Sequence, residues 1–182
     1  CSFICNGDFD NPFMVTTAGL TVNINCWQTN ASDGLMEIWG TGYNGVPSYN
    51  GIQHIELNAT QAATMFQDFL VTTPGANLTV RFAHRARANV GQTDTMLVEI
   101  GPVGGPYTSL GKFGDGPSAW GYYTKNHIVP SPGNYRIRFT PTWWGWGNIG
   151  VGNFLDAVSV CLEQPTGVTE LVSENESLAF PN

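Results

Sequence analysis

The stretch Leu78-Thr79-Val80-Arg81-Phe82-Ala83 alternates apolar and polar side chains without a break. Successive side chains on a strand point to opposite faces, so Leu78, Val80 and Phe82 share a face that must be covered, and Arg81 stands on the other. Tyr135-Arg136-Ile137-Arg138-Phe139 repeats the pattern with two arginines opposite Tyr, Ile and Phe. A period of two argues for strands rather than amphipathic helices at both places. Two strands with Arg on the outer face imply one broad sheet surface that is not simply apolar. Turn chemistry punctuates the rest, at Thr73-Pro74-Gly75, Gly104-Gly105-Pro106, Asp115-Gly116-Pro117 and Ser131-Pro132-Gly133. Strands are predicted over residues 2–9, 35–39, 52–57, 63–71, 77–84, 95–101, 120–129, 134–140 and 153–162. Residues 61–69 read equally well as helix or strand.

This rhythm predicts an all-β fold, a two-sheet antiparallel β-sandwich over residues 1–163. A chain of 182 residues is long enough for one such sandwich and too short for two comfortable ones. Glu163-Gln164-Pro165-Thr166-Gly167 reads as a linker, so residues 164–182 are expected to form an extended C-terminal tail.

Charge excludes several functions. Seven basic residues face fourteen acidic ones, for a net charge of −7. Binding nucleic acid or an anionic bilayer needs clustered basic side chains, so neither is expected as a partner. No apolar run approaches the length of a membrane span. The start at Cys1, without an initiator Met or leader, is expected to mark a processed or excised chain.

The four cysteines, Cys1, Cys5, Cys26 and Cys161, form no C-x-x-C pair, and no His stands at zinc spacing. An even count favours two disulfides in an exported protein. Three pairings are open; the expected one is Cys5–Cys26 with Cys1–Cys161, because first and last strands are often neighbours in sandwiches.

Asp8 and Asp10 project from one face at the end of the first predicted strand, and Asp156 interrupts the apolar run from Phe154 to Val160. If first and last strands are neighbours, the three carboxylates converge, and carboxylates that converge call for a cation such as Ca2+. Read singly, Asp8 and Asp10 are solvated turn residues.

Asn6-Gly7-Asp8-Phe9-Asp10, together with Phe154-Leu155-Asp156-Ala157-Val158-Ser159-Val160, resembles the frame of galactose-binding-like jelly rolls, which include many calcium-containing carbohydrate-binding modules. The middle is similar to domains of Bacteroidota surface proteins, through Cys26-Trp27, Glu37-Ile38-Trp39-Gly40, Tyr43-Asn44-Gly45-Val46-Pro47, Phe82-Ala83-His84-Arg85 and Trp120-Gly121-Tyr122-Tyr123. The resemblance covers about residues 3–162. It implies a jelly-roll sandwich and a structural calcium, with Asp10 and Asp156 at the family's ligand positions and Asp8 at a position that often lacks a carboxylate. Glu174 to Asn182, ending Ala179-Phe180-Pro181-Asn182, resembles the opening of a type IX secretion sorting domain. That implies a secreted or cell-surface protein, with a truncated sorting or anchoring segment in the tail.

Sugars present C–H faces that stack on aromatic planes and hydroxyls that need fixed donors and acceptors. Two segments carry that mixture. One is the polar loop from Trp39 to Asn50, with Tyr43, Asn44 and Tyr49, joined by His84, Arg85 and Arg87 near a strand end. The other is Trp143-Trp144-Gly145-Trp146, where three Trp in four positions cannot all face one core. The competing readings are packing over the sandwich end, contact with a protein, and, for His84 and Arg85, hydrogen bonding to neighbouring loops. Phe9, Phe66, Phe82, Phe139 and Phe154 are expected in the core.

No nucleophile elbow is present, and nothing in the sequence links Asp33, Glu37 or Glu56 into the paired carboxylates of a glycosidase. The expected function is therefore a non-catalytic, glycan-binding module. The alternative is a structural or adhesive surface subunit that contacts protein, or assembles with itself, through its loops and tail.

Overall fold

The computed structural model describes residues 2–14, 16–87, 94–144 and 148–163. Eleven strands follow one another: β1 Ala18–Thr21, β2 Gln28–Thr29, β3 Met36–Gly40, β4 Gln53–Glu56, β5 Met65–Val71, β6 Asn77–Ala86, β7 Asp94–Pro102, β8 Thr108–Asp115, β9 Gly121–Ile128, β10 Gly133–Trp143 and β11 Asn153–Leu162. They form a six-stranded sheet, β1-β3-β4-β11-β6-β9, and a five-stranded sheet, β2-β5-β10-β7-β8. Every strand pairing is antiparallel. The expected all-β sandwich is thus the observed fold, and no helix among the described residues is long and apolar enough to cross a membrane.

The two alternating segments lie in different sheets, β6 in the six-stranded and β10 in the five-stranded one, so Arg81 and the pair Arg136 and Arg138 stand on opposite outer surfaces and not on the one expected. Leu78, Val80 and Phe82 face Ile137 and Phe139 across the sandwich, and Phe82 meets Phe139 at 5.6 Å in a T-shaped contact. Met36, Ile38, Ile55, Leu155 and Val160 extend this core on one sheet, and Met65, Val71, Met96, Val98 and Ile100 on the other. The ambiguous residues 61–69 resolve as the start of β5, whose inward Met65, Gln67 and Phe69 have the period of two.

Residues 2–9 are not the predicted strand. Phe3 N–H donates to Val160 O and Val158 N–H to Gly7 O, so the segment does run beside β11. Positive φ at Asn6 (52°) and Phe9 (57°) breaks the extended run. Gly7 permits the approach, since a Cβ there would meet Val158 O at 1.9 Å. The Asn6 side chain closes a turn by donating to Asn11 O and accepting from Asn11 N–H. The Asn-Gly-x-Phe sequence is therefore a backbone device that lays the N-terminal segment on the last strand.

Cys5 and Cys26 form the expected disulfide, with Cα atoms 6.1 Å apart. The second expected pair involves Cys1, which lies outside the described residues, as do Trp146 and residues 164–182. Cys161 is buried in β11.

Candidate functional site

The two sheets turn their other faces outward, and these faces differ. On the six-stranded sheet Glu37, Trp39, His54, Glu56, Phe154 and Arg85 point away from the central core, as the registers Trp39↔His54, Glu37↔Glu56 and Phe154↔Arg85 require. Yet Trp39 is 2% exposed, Arg85 is 8% exposed, and His54, Glu56 and Phe154 are fully buried. The loop between β3 and β4 folds back over them. Tyr43 packs on Trp39 at 5.0 Å, Phe154 lies 4.9 Å from both Trp39 and His54, and Trp120 stands edge-on to His54 at 5.4 Å. Trp120 Nε1–H donates to Pro47 O, and Ser48 Oγ lies 3.0 Å from His54 Nδ1. This is a second, smaller core outside the sandwich.

Several residues expected to touch a ligand are structural members of that cover. Trp39 is enclosed, and its Nε1–H donates to Glu37 Oε1. His84 is fully buried, with Nδ1 2.8 Å from Asp115 Oδ2 and Nε2 2.9 Å from Asn153 Oδ1. Arg85 donates through Nε and Nη2 to Pro117 O, which is the loop-tethering alternative. Arg87 lays its guanidinium 4.6 Å from the Trp39 ring centre and donates to Glu56 Oε2 and Gly150 O. The cover over Trp39 and Arg85, and the burial of His84 on the inner face opposite Leu155, correct the expectation that Trp39, His84 and Arg85 present themselves to a ligand. Tyr43 is half-buried, while Asn44 and Tyr49 remain exposed on the loop.

Glu37 and Glu56, unlinked in sequence, are direct cross-strand partners. Burial pushes both carboxyls up, most strongly Glu56, while the Arg87 charge opposes the rise in each. As neighbours on one sheet face they stand side by side, with the fully buried Glu56 under the loop, rather than facing each other across a cleft.

The buried polar side chains hold the foot of the Trp-bearing loop. Asn58 Oδ1 accepts from Asn153 N–H and Nδ2–H, and Asn58 Nδ2 donates to Ile149 O. Asn153 Nδ2 also donates to Trp143 O, and Gly152 N–H donates to Glu56 Oε1.

Among the described residues nothing covers the outer face of the five-stranded sheet in this way. Arg136 lies with its guanidinium 3.7 Å from the Phe66 ring centre and pairs with Asp68 through Nε and Nη2. Arg138 lies 3.9 Å from the Tyr107 ring centre and pairs with Glu99. Phe66, expected in the core, thus serves as an outward platform. Along the same strand follow Thr140, bonded to Thr64, and Trp143, the cross-strand partner of outward Thr95. Trp143 is 50% exposed, and Trp144 is half-buried beside it. From Arg136 to Trp143 the strand presents planar groups over roughly 23 Å. The clue in the sequence was the Arg-x-Arg alternation; the partners Phe66, Asp68, Glu99 and Tyr107 come from three other segments and could not be named from it.

The three candidate metal ligands are placed unequally. Asp10 Oδ1 accepts the Ile52 and Gln53 amides, and Gly51 (φ 67°) sits so near that a Cβ there would meet Asp10 Oδ2 at 2.1 Å. Asp156 Oδ2 accepts the Tyr49 and Asn50 amides and Oδ1 accepts that of Ala157, at a bulge where Ala157 has φ 52°. Burial pushes the Asp156 carboxyl up to about 7, and the charge of Asp10 adds to the rise. Two carboxylates in this relation, offering only hard oxygen donors, suit a calcium ion. Asp8 instead lines a separate hollow with Asn50 and Tyr122. Among the described residues no three His, Cys, Asp or Glu side chains gather into a metal-holding group, so main-chain carbonyls would have to complete the shell.

No family model matches the chain, and no curated protein matches it. Solved structures do. A family 61 carbohydrate-binding module in complex with β-1,4-galactotriose superposes with a TM-score of 0.60 at 13% identity, over 90% of this chain and 99% of that one. The tandem family 22 modules of Paenibacillus barcinonensis Xyn10C superpose with a TM-score of 0.56 at 12% identity, over 78% of this chain and 47% of that one. A xylan-binding family 22 domain gives 0.52 at 13% identity, over 77% and 88%. At these identities the likeness establishes the fold, the jelly-roll sandwich of carbohydrate-binding modules.

Proposed function

We propose that this chain is a non-catalytic carbohydrate-binding module that holds a neutral glycan along the outer face of its five-stranded sheet. The observation that carries the proposal is the open row from Arg136 to Trp143, where an exposed indole stands on the same strand face as two guanidinium planes fixed on aromatic rings. Stacked planes meet the C–H faces of sugar rings, and the fixed guanidinium, carboxylate and hydroxyl groups meet the hydroxyls. Each arginine is matched by a carboxylate, Asp68 or Glu99, which favours an uncharged chain over a uronate or sulfated one. The glycan-binding neighbours of the same fold support this reading, and so does the full burial of Glu56 beside its cross-strand partner Glu37. A structural calcium held by Asp10 and Asp156 would fix the N-terminal segment and the β3–β4 loop against β11. The Cys5–Cys26 disulfide supports an oxidising, extracellular location.

The test is affinity electrophoresis through gels containing β-1,4-galactan or xylan. Retardation is expected in at least one gel. Trp143→Ala should weaken it about tenfold or more at unchanged thermal stability. Free migration through every neutral polysaccharide tried would sink the proposal.

The structural or adhesive alternative draws on a different patch. Phe13 (59% exposed) and Ile52 (47%) border a groove of about 230 Å³, and Leu20 (50%) lies on the edge strand β1.

A further inference from the structure

The cover on the six-stranded sheet stops short of its β9 edge, and two rings emerge there. Tyr49, from the covering loop, and Tyr122, from β9, lie parallel within 5° at 5.1 Å. Neighbouring Tyr123 turns inward onto Phe82, so Tyr122 points outward. The pair is fixed from behind: Asp156 accepts the Tyr49 amide, and Trp120 meets the Tyr49 ring edge-on. Even so, Tyr49 is 44% and Tyr122 47% exposed. Buried aromatic rings elsewhere on this face show that the fold can cover such groups; here it holds two of them open and rigid. Beside Tyr122 lies a hollow of about 330 Å³ lined by Asp8, Asn50, Ser2 and Ser159. The hollow offers a carboxylate, an amide and two hydroxyls next to a flat apolar ring.

We infer that this hollow is a second carbohydrate site, taking a neutral pyranose with its C–H face on Tyr122 and its hydroxyls on Asp8, Asn50 and Ser159. The chemistry is that of a sugar pocket, an aromatic plane with a few convergent polar groups. The site lies on the opposite outer surface from the Arg136–Trp143 row. Packed sheets stand about 10 Å apart backbone to backbone, so the two outer surfaces are roughly 20 Å apart through the body of the module. One linear glycan does not lie on both. With both sites active the module joins two glycan chains, a role that rests on the first site as well as on this one; the second site stands independently.

The test uses the isotopically labelled chain with calcium present, titrated separately with β-1,4-galactotriose and xylohexaose, and followed by amide chemical shifts. Two patches are expected to move, one at Asp8, Asn50 and Ser159 and one along β10. Tyr122→Ala should remove the first and spare the second, Trp143→Ala should do the reverse, and Tyr122→Phe should keep both. The wild-type chain should turn a solution of the matching soluble polysaccharide turbid, and either alanine variant should bind it without turbidity. Shifts along β10 alone would overturn the second site and leave the proposed function standing. Shifts at Asp8 and Asn50 alone would keep the second site and overturn both bridging and the proposed function. Silence at both patches overturns both assignments.

Discussion

The two outer faces of this sandwich contain the same kinds of residue and use them differently. Each pairs arginine with an aromatic ring and a carboxylate: Arg87 with Trp39 and Glu56, Arg136 with Phe66 and Asp68. On the six-stranded sheet the group is roofed by the β3–β4 loop, and Glu56 is fully buried. On the five-stranded sheet it is open to solvent along one side. A buried set of this type stabilises and orders the chain, whereas an open set offers planes and donors to a ligand. The cover therefore decides between packing and binding, and composition does not.

The largest expected effect breaks the comparison at its indoles. Trp39→Ala leaves a cavity between Tyr43, Phe154 and Arg87 and should cost about 3–5 kcal/mol of stability. Trp143→Ala should stay within about 0.5 kcal/mol of the parent, because half of its ring is already in water. Urea unfolding of both variants checks this. A Trp143 variant as destabilised as the Trp39 variant would mean that the five-stranded face is also a packed surface.

The second effect is pH dependence, which should belong to the covered face. Burial, with the Arg85 charge, lowers His54 from 6.5 to about 3. A base with a depressed folded pKa contributes stability that is complete above 6.5 and is lost as pH falls toward 3. Glu56 has the opposite sign. Its carboxyl is raised by burial, so its contribution is complete below the unfolded value of 4.5 and is lost as pH climbs through the raised pKa. Urea midpoints measured from pH 4 to 9 should fall on both sides of a mildly acidic optimum. Glu56→Gln should reduce the alkaline limb, to which the raised Asp156 and Glu37 carboxyls also contribute, and His54→Phe should reduce the acid limb, shared with the lowered His127. A limb left unchanged in size by its substitution would place the titration elsewhere.

The third is calcium. Ion at a hundredfold excess over its dissociation constant stabilises a protein by about 2.7 kcal/mol. Removing it with a chelator should lower the melting temperature by several degrees in the wild-type chain and not in Asp156→Asn. A chelator without effect on the wild-type chain would remove calcium from the account of this fold.

The fold was legible wherever a strand has one face in the core. The period of two in β6 and β10 is strict because one side of each meets the opposite sheet. The edge strands β1 and β8 were missed because their pairing is one-sided and their sequences, Ala18-Gly19-Leu20-Thr21 and Thr108-Ser109-Leu110-Gly111-Lys112, show little contrast between faces. The site was only partly legible. Nothing local to Trp39 shows that a loop eleven residues further on bonds to Asp156 and roofs it. The run Gln53-His54-Ile55-Glu56 carried a usable signal, since polar residues on both faces of a strand next to a long loop suggest burial on both sides. The Glu37/Glu56 and Arg136/Asp68 pairings are matters of register, and register is set by the whole sheet.

The smallest change in stability carries the sharpest test of the open face. Arg136→Lys keeps the charge facing Asp68 and removes the plane lying on Phe66. Exposed ion pairs contribute little, so stability should move by less than about 1 kcal/mol. A lysine ammonium offers a point charge where arginine offers a flat, forked donor, so a ligand that reads planes should bind several-fold more weakly. The same exchange at Arg87, held between Trp39 and Glu56, should act the other way round, costing stability and leaving glycan affinity unchanged. Measuring both properties for both variants forms a two-by-two comparison. If Arg136→Lys leaves affinity untouched, the guanidinium on Phe66 is a surface ornament of the sheet, and the glycan, if bound, is held by the Trp143 end alone.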